Sequence, residues 1–253
     1  FPRPHWHQWQ LRRTSLGVQA RRATLPPVRH DPATRHTGWS QQPLVSELST
    51  LKQELVEVMA DVHRRGWCDG TGGNFSCLSS RDPLQLLMAP SGVHKGNVSA
   101  DELIVVDGNA KVVAGSGKAS AETLLHLTIV RSCAAGAVLH SHSQAGTLLS
   151  QWALPRGGIS LQDLEMLKGL AGMSTHQAKV LLPVLANDQD LQRLSLVAQP
   201  HLAEAPHGLL IAGHGLYAWG NDLFSATRHL EILEFLLEQR WRQLLLQGLG
   251  IKP

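Results

Sequence analysis

The run VLHSHS at 138–143, near the middle of the chain, constrains the fold more than any other stretch. Val138 and Leu139 favour a β-strand, and alternate side chains of a strand lie on the same face of its sheet. His140 and His142 would therefore project together and could bind one ion, because neutral imidazole is the commonest nitrogen ligand of zinc and similar metals. The alternative is a pair of half-exposed histidines at a sheet edge.

Three glycine-rich or hydroxyl-rich turns precede this run. They read GTGGNFS at 70–76, APSGVHKG at 89–96 and GSGKASAE at 115–122. Backbone amides in such turns and at helix N-termini bind phosphate, and a hydroxyl or a lysine strengthens the binding. The first turn does not have the spacing of a dinucleotide-binding or P-loop motif. Each could be a plain structural turn, but three so close together favour a phosphate site.

The third turn leads into a predicted helix that begins near Thr123. Ser120 is predicted to cap this helix, with its hydroxyl and the first helix amides facing outward. Glu122 suits the positive end of the helix dipole, so a purely structural role is open to it.

Two more candidate residues lie in the second half of the chain. Glu165 lies in a predicted helix at 159–170, where it could simply belong to the solvent-exposed face. His214 stands between two glycines after the apolar strand pattern GLLIA at 208–212. Metal ligands often lie at such strand ends, and the glycines would let the backbone place the imidazole closely.

Hydrophobic periodicity predicts the other elements of the folded region. A first helix ends at Arg64 before Gly66, and a last helix at 222–246 carries one apolar stripe. An Asp-Gly-Asn turn predicts a hairpin at 103–113. Further helices are predicted at 123–132, 145–152 and 187–199, and strands at 84–89 and 180–185.

The charge of the chain is unevenly distributed. Residues 1–40 hold seven arginines and one acidic residue, which leaves 16 basic against 19 acidic residues and a net charge of −3 in the remainder. A mildly acidic body argues against a nucleic-acid surface. We predict a disordered Arg-rich extension at 1–41, with a transit-peptide-like segment as the alternative, and a catalytic domain at 42–253.

Cysteine content and hydropathy bear on the compartment. Cys68, Cys77 and Cys133 are odd in number and lack CxxC spacing, so a disulfide framework is not expected and a cytoplasmic location is favoured. The longest apolar runs are far shorter than the ~20 residues of a membrane span, so no membrane association is expected.

Taken together, seven motifs in order resemble the class II aldolase and adducin family of sugar-phosphate enzymes. The motifs span about residues 44–247. They are GTGGNFS at 70–76, APSGVHKG at 89–96, SAETLLH at 120–126, LHSHS at 139–143, LEMLKGL at 164–170, NDQD at 187–190 and GHGLYAWG at 213–220. The resemblance implies an α/β fold, an α/β/α sandwich around a central, mostly antiparallel sheet.

The resemblance also implies roles for individual residues. His140, His142 and His214 correspond to the three metal ligands of the family, which implies one Zn²⁺ per subunit. Glu165 matches the acid/base residue of the family's dehydratases, whereas Glu122 resembles the aldolases at a position where some dehydratases have cysteine, and its role is open. Phosphate and substrate binding are implied for Gly73, Asn74, Ser91, Gly92 and Ser120.

Within the family, the motif at 164–170 and the AWG sequence at 218–220 favour the dehydratases of methionine salvage. The implied reaction is zinc-dependent dehydration of 5-methylthioribulose 1-phosphate, a phosphorylated ketose, to 5-methylthio-2,3-dioxopentyl 1-phosphate. The resemblance further implies a homotetramer with its sites near subunit boundaries. The alternatives are a class II sugar-phosphate aldolase or pentulose-phosphate 4-epimerase, and a non-catalytic module of the adducin kind, which would be expected to have lost metal ligands.

Overall fold

A computed structural model of the protein describes residues 42–251. The Arg-rich extension predicted at 1–41 lies outside the described residues, so its disorder stays a prediction. Among the residues that are described, no helix is both long enough and apolar enough to cross a membrane.

The described residues form five α-helices and nine strands, and the first four strands follow one another directly after the first helix. The α-helices are α1 (Gln42–Arg64), α2 (Thr123–Cys133), α3 (Gln144–Ala153), α4 (Leu191–Leu202) and α5 (Leu223–Gly248). The strands are β1 (Asn74–Arg81), β2 (Leu84–Met88), β3 (Ile104–Asp107), β4 (Val112–Ala114), β5 (Ala137–Ser141), β6 (Gly158–Leu161), β7 (Val180–Leu185), β8 (Gly208–Ile211) and β9 (Gly215–Gly220). Short 3-10 segments lie at Ala100–Glu102, Leu154–Arg156 and Glu165–Gly169.

The strands described here form one sheet in the order β4-β3-β2-β1-β5-β9-β8-β7-β6. Neighbouring strands are antiparallel except for β7 and β8, which are parallel. β5, which carries the first histidine of the HxH run, is the central strand, with four strands on each side.

Helices cover both faces of the sheet. Leu139 of β5 contributes to a core with residues of α1, α3 and α5, whereas Val138 faces a second core with residues of α2 and α4. This alternation follows from the two-residue period of a strand. The α/β/α sandwich around a mostly antiparallel sheet is therefore confirmed.

The predicted helix at 159–170 is wrong in its first part. Ile159 and Leu161 are buried while Ser160 is exposed, and the segment pairs with β7 as the edge strand β6. This alternation is the period of a strand, and a short segment of this kind is ambiguous from sequence. Asp163 then adopts a φ of +56°, which ends regular structure before the 3-10 segment that starts at Glu165.

Candidate metal centre

The pairing of β5 with β9 brings the third histidine to the first two. His140 lies opposite Tyr217 in this pair, and His214 occupies the tight turn that joins β8 to β9. A Cβ atom at Gly215 would lie 2.0 Å from the carbonyl oxygen of Ser141, so only glycine allows the two strands to approach here. The glycine after His214 thus has the close-approach role that its position suggested.

The imidazoles of the three histidines converge. His140 Nε2 lies 2.8 Å from His142 Nε2 and 3.4 Å from His214 Nε2. One ligand atom from each of the three residues lies within 4.8 Å of the others. His140 is fully buried, and the other two are partly accessible, which leaves one side of the cluster open.

The surroundings of His140 fit the ring for metal binding. Its Nδ1 lies 2.9 Å from the carbonyl oxygen of Leu216, so Nδ1 carries the proton and Nε2 presents its lone pair to the cluster. The ring stacks on Tyr217 at a centroid distance of 3.9 Å. Burial lowers the pKa of His140 well below its ordinary value, which favours the neutral, ligating form.

His214 presents a buried polar atom without a partner. Its Nδ1 has no hydrogen-bond partner among the described residues, while its Nε2 faces the cluster. Three convergent imidazoles are one of the donor sets found in catalytic zinc sites. The residues present therefore fit a divalent transition metal.

Glu122 places a carboxylate at this cluster. Its Oε1 lies 3.0 Å from His214 Nε2, its Oε2 lies 3.9 Å from His140 Nε2, and Asn74 Nδ2 donates a hydrogen bond to Oε2. Burial alone would raise the pKa of Glu122, but the hydrogen bond with His214 and the adjacent imidazoles lower it to about 2. An ionised carboxylate thus faces the same space as the metal-ligand atoms.

The turns predicted to bind phosphate are linked to one another around the cluster. Lys95, which is 2% exposed, donates hydrogen bonds of 3.0 Å to the carbonyl oxygens of Thr71 and Val93. The amide of Ser91 donates to the carbonyl oxygen of Lys118 at 2.8 Å. These contacts tie the turns at 70–76, 89–96 and 115–122 into one wall.

Within this wall, the structure gives each predicted binding residue a place. Gly73 has a φ of +75° and directly precedes β1, where Asn74 lies opposite His140. Ser91 and Gly92 are at the tip of their turn, and the Ser120 hydroxyl accepts from the amide of Glu122 at 3.3 Å. The prediction that Ser120 caps α2 is therefore wrong, because the N-cap residue is Glu122 and Ser120 lies in the turn before it. Their role in substrate binding stays a prediction.

Glu165 lies apart from the histidine cluster in its own chain. Its side chain is 70% exposed, forms an ion pair with Lys168 and lies 3.9 Å from His176. Among the described residues, no ion pair joins it to His140, His142 or His214. The strand before it, β6, lies four strands from β5, roughly 19 Å across the sheet at the usual strand spacing.

Three residues near the cluster were not predicted as site residues. Lys95 belongs to the turn APSGVHKG, where it was predicted only to strengthen phosphate binding as a cation. Tyr217 follows His214 by three residues in GHGLYAWG. Glu234 is a buried carboxyl on α5 that contacts Ser141, between the first two histidines. Its signal in the sequence is a glutamate directly beside the apolar stripe of the last helix.

Comparisons with known proteins agree with this geometry. The profile of the Class II Aldolase and Adducin N-terminal domain matches residues 53–241. The methylthioribulose-1-phosphate dehydratase of Sorangium cellulosum (strain So ce56) is 40% identical to this chain, and the match covers 76% of this chain and 92% of the relative. The methylthioribulose-1-phosphate dehydratase of Methylococcus capsulatus (strain ATCC 33009 / NCIMB 11132 / Bath) is 41% identical, and the match covers 78% of this chain and 96% of the relative. The solved L-fuculose-1-phosphate aldolase from Thermus thermophilus is similar at 25% identity and a TM-score of 0.65, covering 79% of this chain and 98% of that one.

Proposed function

Because this chain belongs to the class II aldolase and adducin family, we propose that it is a dehydratase of methionine salvage. The reaction is the conversion of 5-methylthioribulose 1-phosphate to 5-methylthio-2,3-dioxopentyl 1-phosphate and water. Relatives that carry the dehydratase name match over nearly their whole length, which supports the dehydration step. The observation that carries the proposal is the convergence of three imidazoles beside the Glu122 carboxylate.

The ion proposed for this centre is Zn²⁺, one per subunit, held by His140, His142 and His214. Three neutral imidazoles with open positions suit zinc, although geometry and availability also decide which ion is bound. When bound, the ion supplies Lewis-acid stabilisation of the negative charge that develops on the substrate ketone.

The substrate phosphate is proposed to lie on the wall formed by the three turns. Amides and hydroxyls of Gly73, Asn74, Ser91, Gly92 and Ser120 would hold it. The charge of Lys95 next to this wall supports an anionic ligand, because its ammonium is buried among carbonyl oxygens rather than ion-paired. Fixing the phosphate would hold the reacting carbons beside the histidine cluster.

Two proton movements are needed. The proton on the carbon next to the ketone is removed, the hydroxyl on the following carbon leaves as water after it gains a proton, and the resulting enol becomes the diketone. Glu122 is proposed to remove the carbon-bound proton, a role that the position of its Oε1 in the space of the ligand atoms supports. Glu165 is proposed to protonate the departing hydroxyl, and such acid/base assistance contributes about 10²–10⁴-fold.

The exposure of Glu165 supports a site shared between subunits. In its own chain the carboxyl reaches Lys168 and His176 rather than the histidine cluster. A homotetramer with sites near subunit boundaries would let Glu165 of one copy serve the histidines of another, since symmetric assemblies repeat each contact in every copy.

A sugar-phosphate aldolase is the second candidate function. Two observations favour it, namely the likeness to a solved L-fuculose-1-phosphate aldolase and the presence of a carboxylate, Glu122, beside the metal ligands. An aldolase would share stabilisation of the same enolate but break a carbon–carbon bond. The adducin-like alternative predicts lost ligands, whereas all three histidines are present.

Product analysis tests the proposal directly. The purified protein is loaded with Zn²⁺ and incubated separately with methylthioribulose 1-phosphate, ribulose phosphates and fuculose 1-phosphate. We expect a diketone phosphate from the methylthio substrate alone. Release of an aldehyde from any of the three would favour the aldolase, and turnover of none, together with no bound metal, would favour a non-catalytic module.

We also propose that the protein acts in the cytoplasm. Cys68, Cys77 and Cys133 form no disulfide. Burial raises the pKa of the Cys68 thiol to about 11 and that of Cys77 to about 12, which keeps both in the unreactive thiol form. Unpaired thiols of this kind support a reducing compartment.

A further inference from the structure

The proposed reaction leaves one deeply buried carboxyl of the catalytic domain without a role. Glu234 is 2% exposed on α5, and its neighbours Leu230, Leu233 and Leu237 are completely buried in the core. A carboxyl is seldom fully buried without a partner, because removal from water costs free energy even when it is neutral. A specific interaction is therefore expected to explain why this helix carries a glutamate here.

The partner of Glu234 is the backbone segment that carries the first two histidines. The Ser141 hydroxyl donates a hydrogen bond to Glu234 Oε1. The other carboxyl oxygen, Oε2, has no hydrogen-bond partner among the described residues. Ser143 caps α3 by accepting from the amide of Gly146 at 3.0 Å. The Glu234 carboxyl thus links α5 to the end of β5, two residues before the residue that caps α3.

The position of Ser141 makes this link relevant to the metal centre. Ser141 lies between His140 and His142, and its side chain points to the α5 face of the sheet. Neighbouring side chains of a strand point in opposite directions, so His140 is directed toward the other face. Any rotation of the backbone at Ser141 would therefore move both imidazoles.

We propose that Glu234 is a positioning residue that holds Ser141 from behind the sheet and thereby fixes the spacing of His140 and His142 at the ion. The inference rests on the proposed metal centre and adds a residue that touches neither the ion nor the substrate. Groups that orient metal ligands from outside change metal affinity by about 10–100-fold when they are removed.

The surroundings of Glu234 indicate which substitution preserves its hydrogen bond with Ser141. Burial raises the pKa of Glu234 to about 7, although the nearby Ser141 and Ser143 hydroxyls act in the opposite direction and the charge of Glu238 raises it further. The other charged groups that line the adjacent cavity of about 340 Å³ are Arg65, Glu231 and Glu238. Glutamine has the same shape as a neutral carboxyl and keeps an oxygen that can accept from Ser141.

The test compares four variants of the full-length protein with the wild type. Glu234→Ala and Ser141→Ala each remove the hydrogen bond, Glu234→Gln keeps it, and Glu238→Gln changes another carboxyl that lines the same cavity. Affinity for Zn²⁺ is measured by competition with a chelator, and the visible spectrum of the Co²⁺-loaded protein reports ligand geometry. Turnover and KM are measured separately.

We expect both alanine variants to bind Zn²⁺ about 10-fold or more weakly, with a shifted Co²⁺ spectrum and lower kcat at nearly constant KM. Glu234→Gln and Glu238→Gln should stay within about threefold of the wild type. Combining Glu234→Ala with Ser141→Ala should add no further loss, because both changes remove one interaction.

Several results would overturn the inference. Wild-type metal affinity and spectrum in both alanine variants would reduce Glu234 to a structural role, and so would a glutamine variant as defective as alanine. If Glu234→Ala does not fold, Ser141→Ala alone decides, since it removes the same hydrogen bond at little cost in volume. A wild-type protein that binds neither ion would instead refute the proposed metal centre, and this inference with it.

Discussion

The histidine cluster and the segment around Glu165 differ in how much of their surroundings one chain supplies. His140 is fully buried on the central strand, hydrogen-bonded to a backbone carbonyl and stacked on Tyr217. Glu165 lies in a 3-10 segment beyond the edge strand, 70% exposed and paired only with Lys168 and His176 among the described residues.

The proposed site therefore has a metal-binding half, formed by the three histidines, and an acid/base half, formed by Glu165, and different interactions hold the two in position. The metal-binding half is positioned by close packing and backbone hydrogen bonds, so its geometry is fixed once the sheet forms. The acid/base half has an exposed carboxyl whose single-chain contacts are surface ion pairs, which contribute ~0–1 kcal/mol and do not fix a side chain. A second subunit is the simplest source of the missing constraints.

The largest effect is expected from removing a ligand of the metal-binding half. His142→Ala removes one of three ligands, so we expect loss of bound Zn²⁺ and a fall in turnover of roughly 10³-fold or more. Metal analysis and a diketone assay measure the two effects. His201→Ala is the control, because His201 is an exposed histidine on α4, outside the cluster and the phosphate wall. Full activity of the His142 variant would refute the metal centre.

Glu165→Gln removes the acid/base group of the exposed half and should lower turnover without affecting metal binding by the histidines. We expect turnover to fall by about 10²–10⁴-fold, because the proton donor is lost, while zinc content stays at the wild-type level. Glu204→Gln, another exposed carboxyl, should have no effect. Loss of zinc in the Glu165 variant would contradict the separation of the two halves.

Mixed assemblies sharpen the comparison further. When subunits with His142→Ala are unfolded, mixed equally with Glu165→Gln subunits and refolded together, roughly one quarter of the sites should combine an intact cluster with an intact Glu165 from another copy. Activity should therefore return from two inactive parents. No recovery, with mixed oligomers demonstrated by mass, would place both halves within one subunit.

Lys95→Met tests the wall of three turns that is proposed to bind the substrate phosphate. The change leaves the carbonyl oxygens of Thr71 and Val93 without their donor, which should lower the free energy of unfolding by about 1–3 kcal/mol. KM for the phosphorylated substrate should rise about 10-fold, as a cation near the phosphate is lost. Denaturant unfolding and initial rates measure both effects, with Lys111→Met as the control, because Lys111 is an exposed lysine outside the three turns.

The smallest effect concerns the pH dependence of the free energy of unfolding, through His126, whose ring contacts Tyr217 behind the histidine cluster. His126 is fully buried, and burial lowers its pKa from 6.5 to about 4. Between these values the unfolded chain binds one more proton, so the free energy of unfolding falls as pH falls from 6.5 toward 4, by up to about 1.4 kcal/mol per pH unit.

His126→Gln should reduce this slope by about one proton, measured by urea unfolding at several pH values. An unchanged slope in the His126 variant would mean that the imidazole is not held neutral in the folded protein.

The sequence by itself predicted most elements whose periodicity was long or whose turn chemistry was distinct. The hairpin around Asp-Gly-Asn became β3 and β4, and the apolar stripe at 222–246 became α5. It failed at 159–170, where four residues of strand and five of 3-10 helix are too short to show a period.

The sequence also predicted the three imidazoles of the candidate centre, because alternate residues of a strand share a face and the family resemblance implies His214 as the third ligand. Only the tertiary structure decided which carboxyl accompanies the imidazoles. Glu122 lies beside His214 because β1, β5 and the start of α2 meet there, a long-range contact that local spacing cannot encode. The same reason hid Glu234, whose partner Ser141 lies 93 residues away along the chain.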